Sequence, residues 1–127
     1  MDILRDFSFS NGTRFIIFKN ENNKICVREY LKENIRNGLE EFGVYLDEYV
    51  DTTLNNKTSH DFIESMNSNI NFISNKIIEN YLSTGIMDKD MLEERENYFE
   101  LQNAFIYYYE EFMKKIDEYN NSMGEYE

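Results

Sequence analysis

The residue types that most often perform catalysis are scarce in this chain. It contains one histidine, His60, and one cysteine, Cys26. A zinc site needs several His or Cys ligands at suitable spacing, and a reactive thiol needs a base and an electropositive pocket. Neither requirement is met in the sequence, which has no Cys-x-x-Cys and no His-x-x-x-His pattern. We therefore expect His60 to be a solvated residue in the first turn of a helix, and Cys26 to be a small packed residue in a sheet.

Other signatures of enzymes are missing as well. The sequence has no glycine-rich phosphate loop and no Gly-x-Ser-x-Gly motif. The Asp88-Lys-Asp90 segment lacks the glycine and the later glutamate of a calcium loop. Composition and motifs thus predict a protein with no catalytic residues, no bound metal and no cofactor, and they make an enzyme the least favoured class.

Carboxylates are the one reactive group in excess, and they are unevenly distributed. The formal net charge is −12. Residues 1–36 hold seven Lys or Arg and five Asp or Glu, a balance of +2, whereas residues 37–127 hold six and twenty, a balance of −14. The abundance of asparagine indicates an AT-rich genome, but such a genome favours lysine as readily as glutamate. Codon bias therefore does not explain the asymmetry.

Some of these acids form rows without basic partners. Glu93, Glu96 and Glu100 follow an i, i+3, i+7 spacing, and Asp90 and Glu94 form an adjacent like-charge pair. Like charges at these spacings destabilise a helix by a few tenths of a kcal/mol per pair, which favours a functional role over the alternative, a surface that only keeps the protein soluble. The predicted partner-binding acids are Glu40, Glu41, Asp47, Glu48 and Asp51 on the first predicted helix, and Asp90, Glu93, Glu94, Glu96 and Glu100 on the third.

A second acidic cluster, near the end of the chain, has a different pattern. Glu110–Lys114, Glu111–Lys115 and Lys114–Glu118 place opposite charges at i, i+4 spacing. This arrangement is typical of a solvated helix face whose charges pair with one another. We therefore assign this cluster a structural role.

The third predicted helix carries more apolar surface than one core face requires. One stripe contains Phe99, Ile106 and Tyr109, and a second stripe lies beside it. Either the helix is covered on two sides, or the second stripe is a protein interface or homodimer seam, because aromatic residues are enriched in such interfaces. The second stripe consists of Leu101, Phe105, Tyr108 and Phe112.

The hydrophobic periodicity predicts an α+β fold. Alternation before residue 30 indicates a three-stranded antiparallel meander over about 5–28 with one buried face. Asn11-Gly12 would form a two-residue turn, so that Ser10 pairs with Thr13, and Lys19 would pair with Lys24. Helical spacing then predicts three helices over about 30–54, 59–83 and 89–122, the last two forming an antiparallel hairpin. At 127 residues the chain fits a single domain.

Together these features favour an interaction protein. We expect a small, acidic, non-enzymatic inhibitor that binds a basic nucleic-acid-handling protein and blocks its nucleic-acid groove, as an anti-CRISPR-like or anti-restriction factor of a phage or mobile element would. Alternatives are an immunity protein or antitoxin against a basic nuclease toxin, and a homodimeric adaptor that uses the Tyr/Phe-rich third helix. The net charge opposes direct nucleic-acid binding. With no signal peptide or apolar membrane segment, we expect a cytoplasmic protein of a low-GC bacterium or its phage-infected host.

Overall fold

The computed structural model describes residues 1–9, 12–30 and 49–124. Within these residues four strands are followed by two helices, which confirms the α+β class and overturns the predicted three strands and three helices. The elements are β1 (Asp2–Ser8), β2 (Arg14–Lys19), β3 (Ile25–Tyr30), β4 (Tyr49–Thr53), α1 (Asn56–Thr84) and α2 (Lys89–Gly124).

The predicted helix over 30–54 is wrong at both of its ends. Tyr30 is the last residue of β3, and Tyr49–Thr53 forms β4, which pairs antiparallel with β3. Residues 31–48 of that prediction lie outside the described residues. The segment Tyr-Val-Asp-Thr-Thr consists largely of aromatic and β-branched residues, which favour strands. In Tyr49–Thr53 the strand preference of the residue types therefore determines the structure, although the spacing of the apolar residues also fits a helix.

The four strands form one antiparallel sheet in the order β1-β2-β3-β4. Next to the two turns the registers are one residue away from those predicted, and a bulge between Ile3 and Arg5 shifts the start of β1 by one residue more. The amide of Phe9 donates to the carbonyl of Thr13 at 2.9 Å, so Thr13 closes the turn against Phe9 and not against Ser10. Gly12, the residue before Thr13, has a φ of 88°. A left-handed residue at the third loop position is typical of three-residue hairpin loops, whereas the prediction assumed a two-residue loop.

The turn between β2 and β3 also has three loop residues, whereas the predicted Lys19–Lys24 pair implies four. The amide of Asn20 donates to the carbonyl of Lys24 at 2.9 Å, and Asn23 has a φ of 61°. The side-chain oxygen of Asn20 also accepts from the amides of Asn22 and Lys24, each at 3.0 Å. Three residues therefore form the loop, and Lys19 pairs with Ile25 instead of Lys24.

The corrected register gives the inner strands β2 and β3 buried side chains on both faces, whereas one buried face was predicted, and β1 and β4 are largely exposed. Phe7, Phe15, Ile17 and Val27 share one face, while Ile16, Phe18 and Cys26 share the other. All seven side chains are buried. An uninterrupted apolar run such as Phe15–Phe18 is typical of a strand that is covered on both sides. The expectation that Cys26 is a packed residue is confirmed.

Helix α1 corresponds to the helix predicted over 59–83, and it begins at Asn56, three residues earlier. The side chain of Asn55 accepts from the amide of Thr58 at 2.9 Å, and the Thr58 hydroxyl accepts from the amide of Asn55 at 2.8 Å. Asn55 and Thr58 therefore form a capping box, with Asn55 at the N-cap and Thr58 as the third helical residue. The helix ends at Thr84, and Gly85 follows it with a φ of 72°, the left-handed conformation that glycine favours after a helix.

The two helices form the predicted antiparallel hairpin. The Asp88 side chain accepts from the amides of Asp90 and Met91 and so caps α2. The contacts show the antiparallel direction, because residues late in α1 contact residues early in α2, and residues early in α1 contact residues further along α2. They join Ser74 to Arg95, Ile63 to Gln102, Phe62 to Phe105, and His60 to Tyr109.

The chain divides into two compact units, Met1–Thr53 and Leu54–Glu127. The first contains the sheet and the second contains the helical hairpin. The single domain expected from chain length stays a prediction. By sequence, the helical unit carries six Lys or Arg and fifteen Asp or Glu, a balance of −9, whereas the sheet unit carries seven and ten, a balance of −3. The negative charge therefore belongs mainly to the helical hairpin.

Candidate functional site

Three of the predicted acids form a continuous exposed row on α2. Glu93, Glu96 and Glu100 are exposed, and in the described part of the chain none of them forms an ion pair. Their spacing places consecutive members about 5–6 Å apart on one side of the helix. We refer to these three residues as the acidic row.

The basic residue within this stretch of α2 is engaged elsewhere. The Arg95 Nε donates to the Ser74 hydroxyl on α1 at 2.8 Å, and its guanidinium lies 4.7 Å from the centre of the Phe99 ring. The Arg95 guanidinium therefore lies at the contact between α1 and α2, while the acidic row faces solvent. This arrangement leaves the row without the neutralising partner that lies nearest to it in sequence.

The two remaining acids predicted on α2 flank the start of the row. Asp90 is exposed in the first turn of α2, where a negative charge interacts favourably with the helix dipole. Glu94 is half-buried. The hairpin thus brings all five predicted acids of α2 into one segment, with Glu94 the most enclosed.

Asp51 is not positioned as predicted. It lies on β4 instead of a helix, and both of its carboxylate oxygens accept from Arg28, at 2.8 and 3.0 Å. The Asp51 bond raises the pKa of Arg28 above its ordinary value, so the guanidinium stays charged. The other predicted acids of that group, Glu40, Glu41, Asp47 and Glu48, lie outside the described residues.

Arg28 belongs to a network on the sheet that the sequence did not reveal. Its guanidinium lies 3.8 Å from the centre of the Tyr49 ring and 5.2 Å from that of Phe18. On the same sheet, Arg14 pairs with Asp6 at 3.1 Å. Arg14 and Arg28, two of the seven basic residues in residues 1–36, therefore form ion pairs within the sheet. These pairs join β1 to β2 and β3 to β4. Only a known register could have indicated these pairs.

The second acidic cluster does not form the expected ion pairs. In this described part of α2, the charged atoms of Glu110–Lys114, Glu111–Lys115 and Lys114–Glu118 do not come within ion-pair distance of each other. Lys114 and the eight residues after it are all exposed. These side chains are solvated individually, and the cluster offers a natural comparison for the acidic row.

The second apolar stripe of the third predicted helix is divided between core and surface. Leu101 and Phe105 are fully buried, and the Phe105 ring stacks on Phe62 with centres 4.7 Å apart. Tyr108 and Phe112 are half-buried. Two of the four residues proposed as an interface therefore pack inside the protein, which favours the covered-helix alternative for that part of the stripe.

His60 lies in the helix start, exposed as expected, with Nε2 3.6 Å from a carboxylate oxygen of Glu64. Its ring also lies near that of Tyr109. Among residues 1–9, 12–30 and 49–124, no cluster of three His, Cys, Asp or Glu is placed to hold a metal ion. The described geometry gives His60 the surroundings of a surface residue.

One surface feature was missed by the sequence analysis. Large apolar side chains are exposed where α1 turns into α2, and we refer to them as the hairpin tip. Leu82 and Ile86 are the most open, with 78% and 67% of their surface exposed. The other members are Ile78, Tyr81 and Met87. Tyr81 follows Ile73 and Ile77 at helical spacing, as a core residue would, and spacing alone does not show where the contact with the neighbouring helix ends.

In comparisons with known proteins, no family model, no curated protein and no solved structure matches this chain. Among the described residues, neither helix is both long and apolar enough to cross a membrane.

Proposed function

We propose that this protein is an acidic, non-enzymatic inhibitor that binds a basic nucleic-acid-handling protein and occupies its nucleic-acid groove. The observation that carries the proposal is the acidic row, Glu93, Glu96 and Glu100, which is exposed and free of ion pairs in the described structure while Arg95 is held by Ser74. A counter-defence factor of a phage or mobile element is the biological setting that we infer.

The charge density of this segment supports the proposal. Asp90 and Glu100 are ten residues apart, which corresponds to about 15 Å along a helix. Five carboxylates lie within that length, or about one per 3–4 Å. A single DNA strand carries about one phosphate charge per 3.4 Å. A groove lined with Lys and Arg would therefore meet a similar charge along α2.

The cost of concentrating these charges also supports a function. Each like-charge pair in the row destabilises an isolated helix by about 0.2–0.5 kcal/mol. Solubility could be achieved equally well with acids spread apart or interleaved with lysines. A concentrated row gains its advantage in binding, because it steers a basic partner and raises the association rate.

Affinity capture tests this function. The full chain would be immobilised and exposed to lysate of a low-GC bacterium at low and high salt. We expect it to retain basic nucleic-acid-binding proteins at low salt and to release them when salt or short duplex DNA is added, since DNA competes for the same groove. Retention that is insensitive to both would contradict the proposal.

Charge reversal locates the surface within the chain. Glu93→Lys/Glu96→Lys/Glu100→Lys should abolish the salt-dependent retention. The matched control is Glu110→Lys/Glu111→Lys/Glu118→Lys, which makes the same change in net charge on the same helix. Equal loss in the two variants would show that net charge alone governs binding, and the acidic row would lose its role.

A further inference from the structure

The hairpin tip is an apolar surface that the packing of the two helices leaves exposed. The buried row of α1, which includes Ile73 and Ile77, continues along the helix to Tyr81, but Tyr81 is already about half exposed. Ile78 and Leu82 lie one position further round the helix, away from that row, and they are more exposed still. These side chains therefore lie beyond the packed part of the hairpin.

The turn itself is held by polar bonds. The amide of Gly85 donates to the carbonyl of Tyr81 at 2.7 Å, and the Thr84 hydroxyl donates to the carbonyl of Asn80 at 2.7 Å while it accepts from the amide of Ile86 at 3.2 Å. The backbone conformation at the tip is thus fixed without help from the side chains of Leu82 and Ile86. Two large apolar groups are presented to solvent on a well-defined turn.

The charges around the tip are mainly negative. Between residues 78 and 93 the sequence contains four acids, Glu79, Asp88, Asp90 and Glu93, and one base, Lys89. Glu93 is also the first member of the acidic row, so the row runs directly away from the tip along α2. An apolar centre with a charged rim is the usual layout of a protein interface.

We infer that the hairpin tip anchors the protein on its partner. Leu82 and Ile86 insert into an apolar pocket whose rim carries Lys or Arg, and the acidic row continues the contact along the basic groove. This inference rests on the proposed function and adds to it the chemistry of the partner's binding pocket. Charge complementarity selects this occupant, because an anionic lipid surface or a second copy of the chain would bring negative charges together.

Two synthetic peptides test the inference by titration against the full chain. One is a short helix with leucine along one face and lysine on the others, which supplies an apolar patch with a basic rim. The second carries the same number of lysines with serine in place of leucine. We expect the leucine peptide to bind roughly tenfold tighter than the serine peptide, since buried apolar anchors dominate interface affinity.

Variants separate the tip from the acidic row. Leu82→Ser/Ile86→Ser should reduce the affinity for the leucine peptide about tenfold and leave the serine peptide unaffected. Phe72→Ser is the matched control, because Phe72 is exposed on another part of α1, and it should change neither affinity. Thermal unfolding should show that the tip variant remains folded.

The outcomes distinguish this inference from the proposed function. If the serine peptide binds through the acidic row but the tip variant binds the leucine peptide normally, the inference fails and the proposed function stands. If the leucine peptide requires the tip while charge reversal of the acidic row affects neither peptide, the tip is a binding site and the proposed function fails. A wild-type dimer that becomes monomeric in the tip variant, or tip-dependent binding to phosphatidylglycerol or phosphatidylcholine vesicles, would overturn the inference.

Discussion

Two arginine–aspartate pairs on the sheet show how burial decides what a charge contributes. The side chain of Arg28 is 18% exposed in its pair with Asp51, whereas that of Arg14 is 43% exposed in its pair with Asp6. Both arginines bond both oxygens of their aspartate, but the distances are 2.8 and 3.0 Å for Arg28 and 3.4 and 3.1 Å for Arg14. The Arg28 guanidinium also lies closer to a tyrosine ring, 3.8 Å from the centre of Tyr49, whereas that of Arg14 is 5.0 Å from Tyr30. A planar guanidinium can make both contacts at once, and a lysine cannot.

Arg28→Ala should therefore destabilise the protein by about 1–2 kcal/mol, since charge-assisted bonds and the contact with the Tyr49 ring are lost while Asp51 remains partly solvated. Arg28→Lys should recover only part of this. The comparison is Arg14→Ala, for which we expect less than about 1 kcal/mol, as for exposed pairs generally. Denaturant unfolding measures both, and equal losses would contradict the argument.

Glu29 gives the sheet a pH dependence of its own. Its cross-strand neighbours, Phe15 and Val50, are apolar, and partial burial raises the pKa of Glu29 above its ordinary value. The folded state then binds a proton more tightly than the unfolded state does. This group accordingly reduces the free energy of unfolding as pH rises from about 4.3, the unfolded value, toward its folded pKa.

Glu29→Gln should raise the stability at neutral pH and flatten its decline with pH above about 4.3. The effect is expected to be small because the side chain keeps substantial contact with solvent. Glu21→Gln, in an exposed turn, corrects for the general relief of negative charge. Urea unfolding across this pH range measures the difference, and identical pH profiles for the two variants would refute the assignment.

At the scale of elements, sequence patterns identified most segments but not their pairing. Alternation and helical spacing indicated β1 to β3, α1 and α2, because local residue types determine those preferences. The registers were displaced since Asn11-Gly12 and Asn20–Asn23 fit loops of more than one length. Left-handed Gly12 and Asn23 close three-residue loops, a choice that depends on how the strands pack.

The start of α1 offers a test in which neighbouring residues have opposite effects. Ser59 is fully buried and its hydroxyl has no hydrogen-bond partner in the described structure. Ser59→Ala removes an unsatisfied polar group and improves helix propensity, so it should raise the free energy of unfolding by up to about 1 kcal/mol.

Asn55→Ala removes the capping side chain one turn earlier and should lower the free energy of unfolding by about 1 kcal/mol. Thermal and denaturant unfolding of both variants measure the two effects under the same conditions. If Ser59→Ala destabilises the protein as Asn55→Ala does, then the Ser59 hydroxyl makes a contact that stabilises the fold.

At the scale of the molecule, the candidate site was partly visible in the sequence. The acidic row follows from helical spacing, and its exposure agrees with that pattern. The engagement of Arg95 with Ser74 and the exposure of the hairpin tip could not be predicted, because both depend on where α1 and α2 contact each other. Likewise Asp51, which sequence grouped with free acids, is neutralised by a residue of another strand.

The concentration of charge on the helical hairpin should make stability and binding respond to the acidic row in opposite directions. Glu93→Gln/Glu96→Gln/Glu100→Gln removes three like-charge contacts, Asp90–Glu93, Glu93–Glu96 and Glu96–Glu100, and one opposite-charge contact, Lys89–Glu93. The net relief is about two contacts, so we expect the free energy of unfolding to rise by about 0.5–1 kcal/mol at low salt. The same variant should bind the basic partner more weakly. Rising salt should likewise stabilise the wild-type fold while it weakens binding, because screening reduces both the repulsion within the row and the attraction to the partner.

Unfolding and binding titrations over the same salt series measure the two effects. The control variant Glu110→Gln/Glu111→Gln/Glu118→Gln also removes three charges, but none of these acids has another acid three or four residues away in sequence. It should therefore gain little stability and retain binding. A row variant that is both less stable and weaker in binding would mean that these carboxylates stabilise the hairpin itself, and the weaker binding would then follow from a weakened fold.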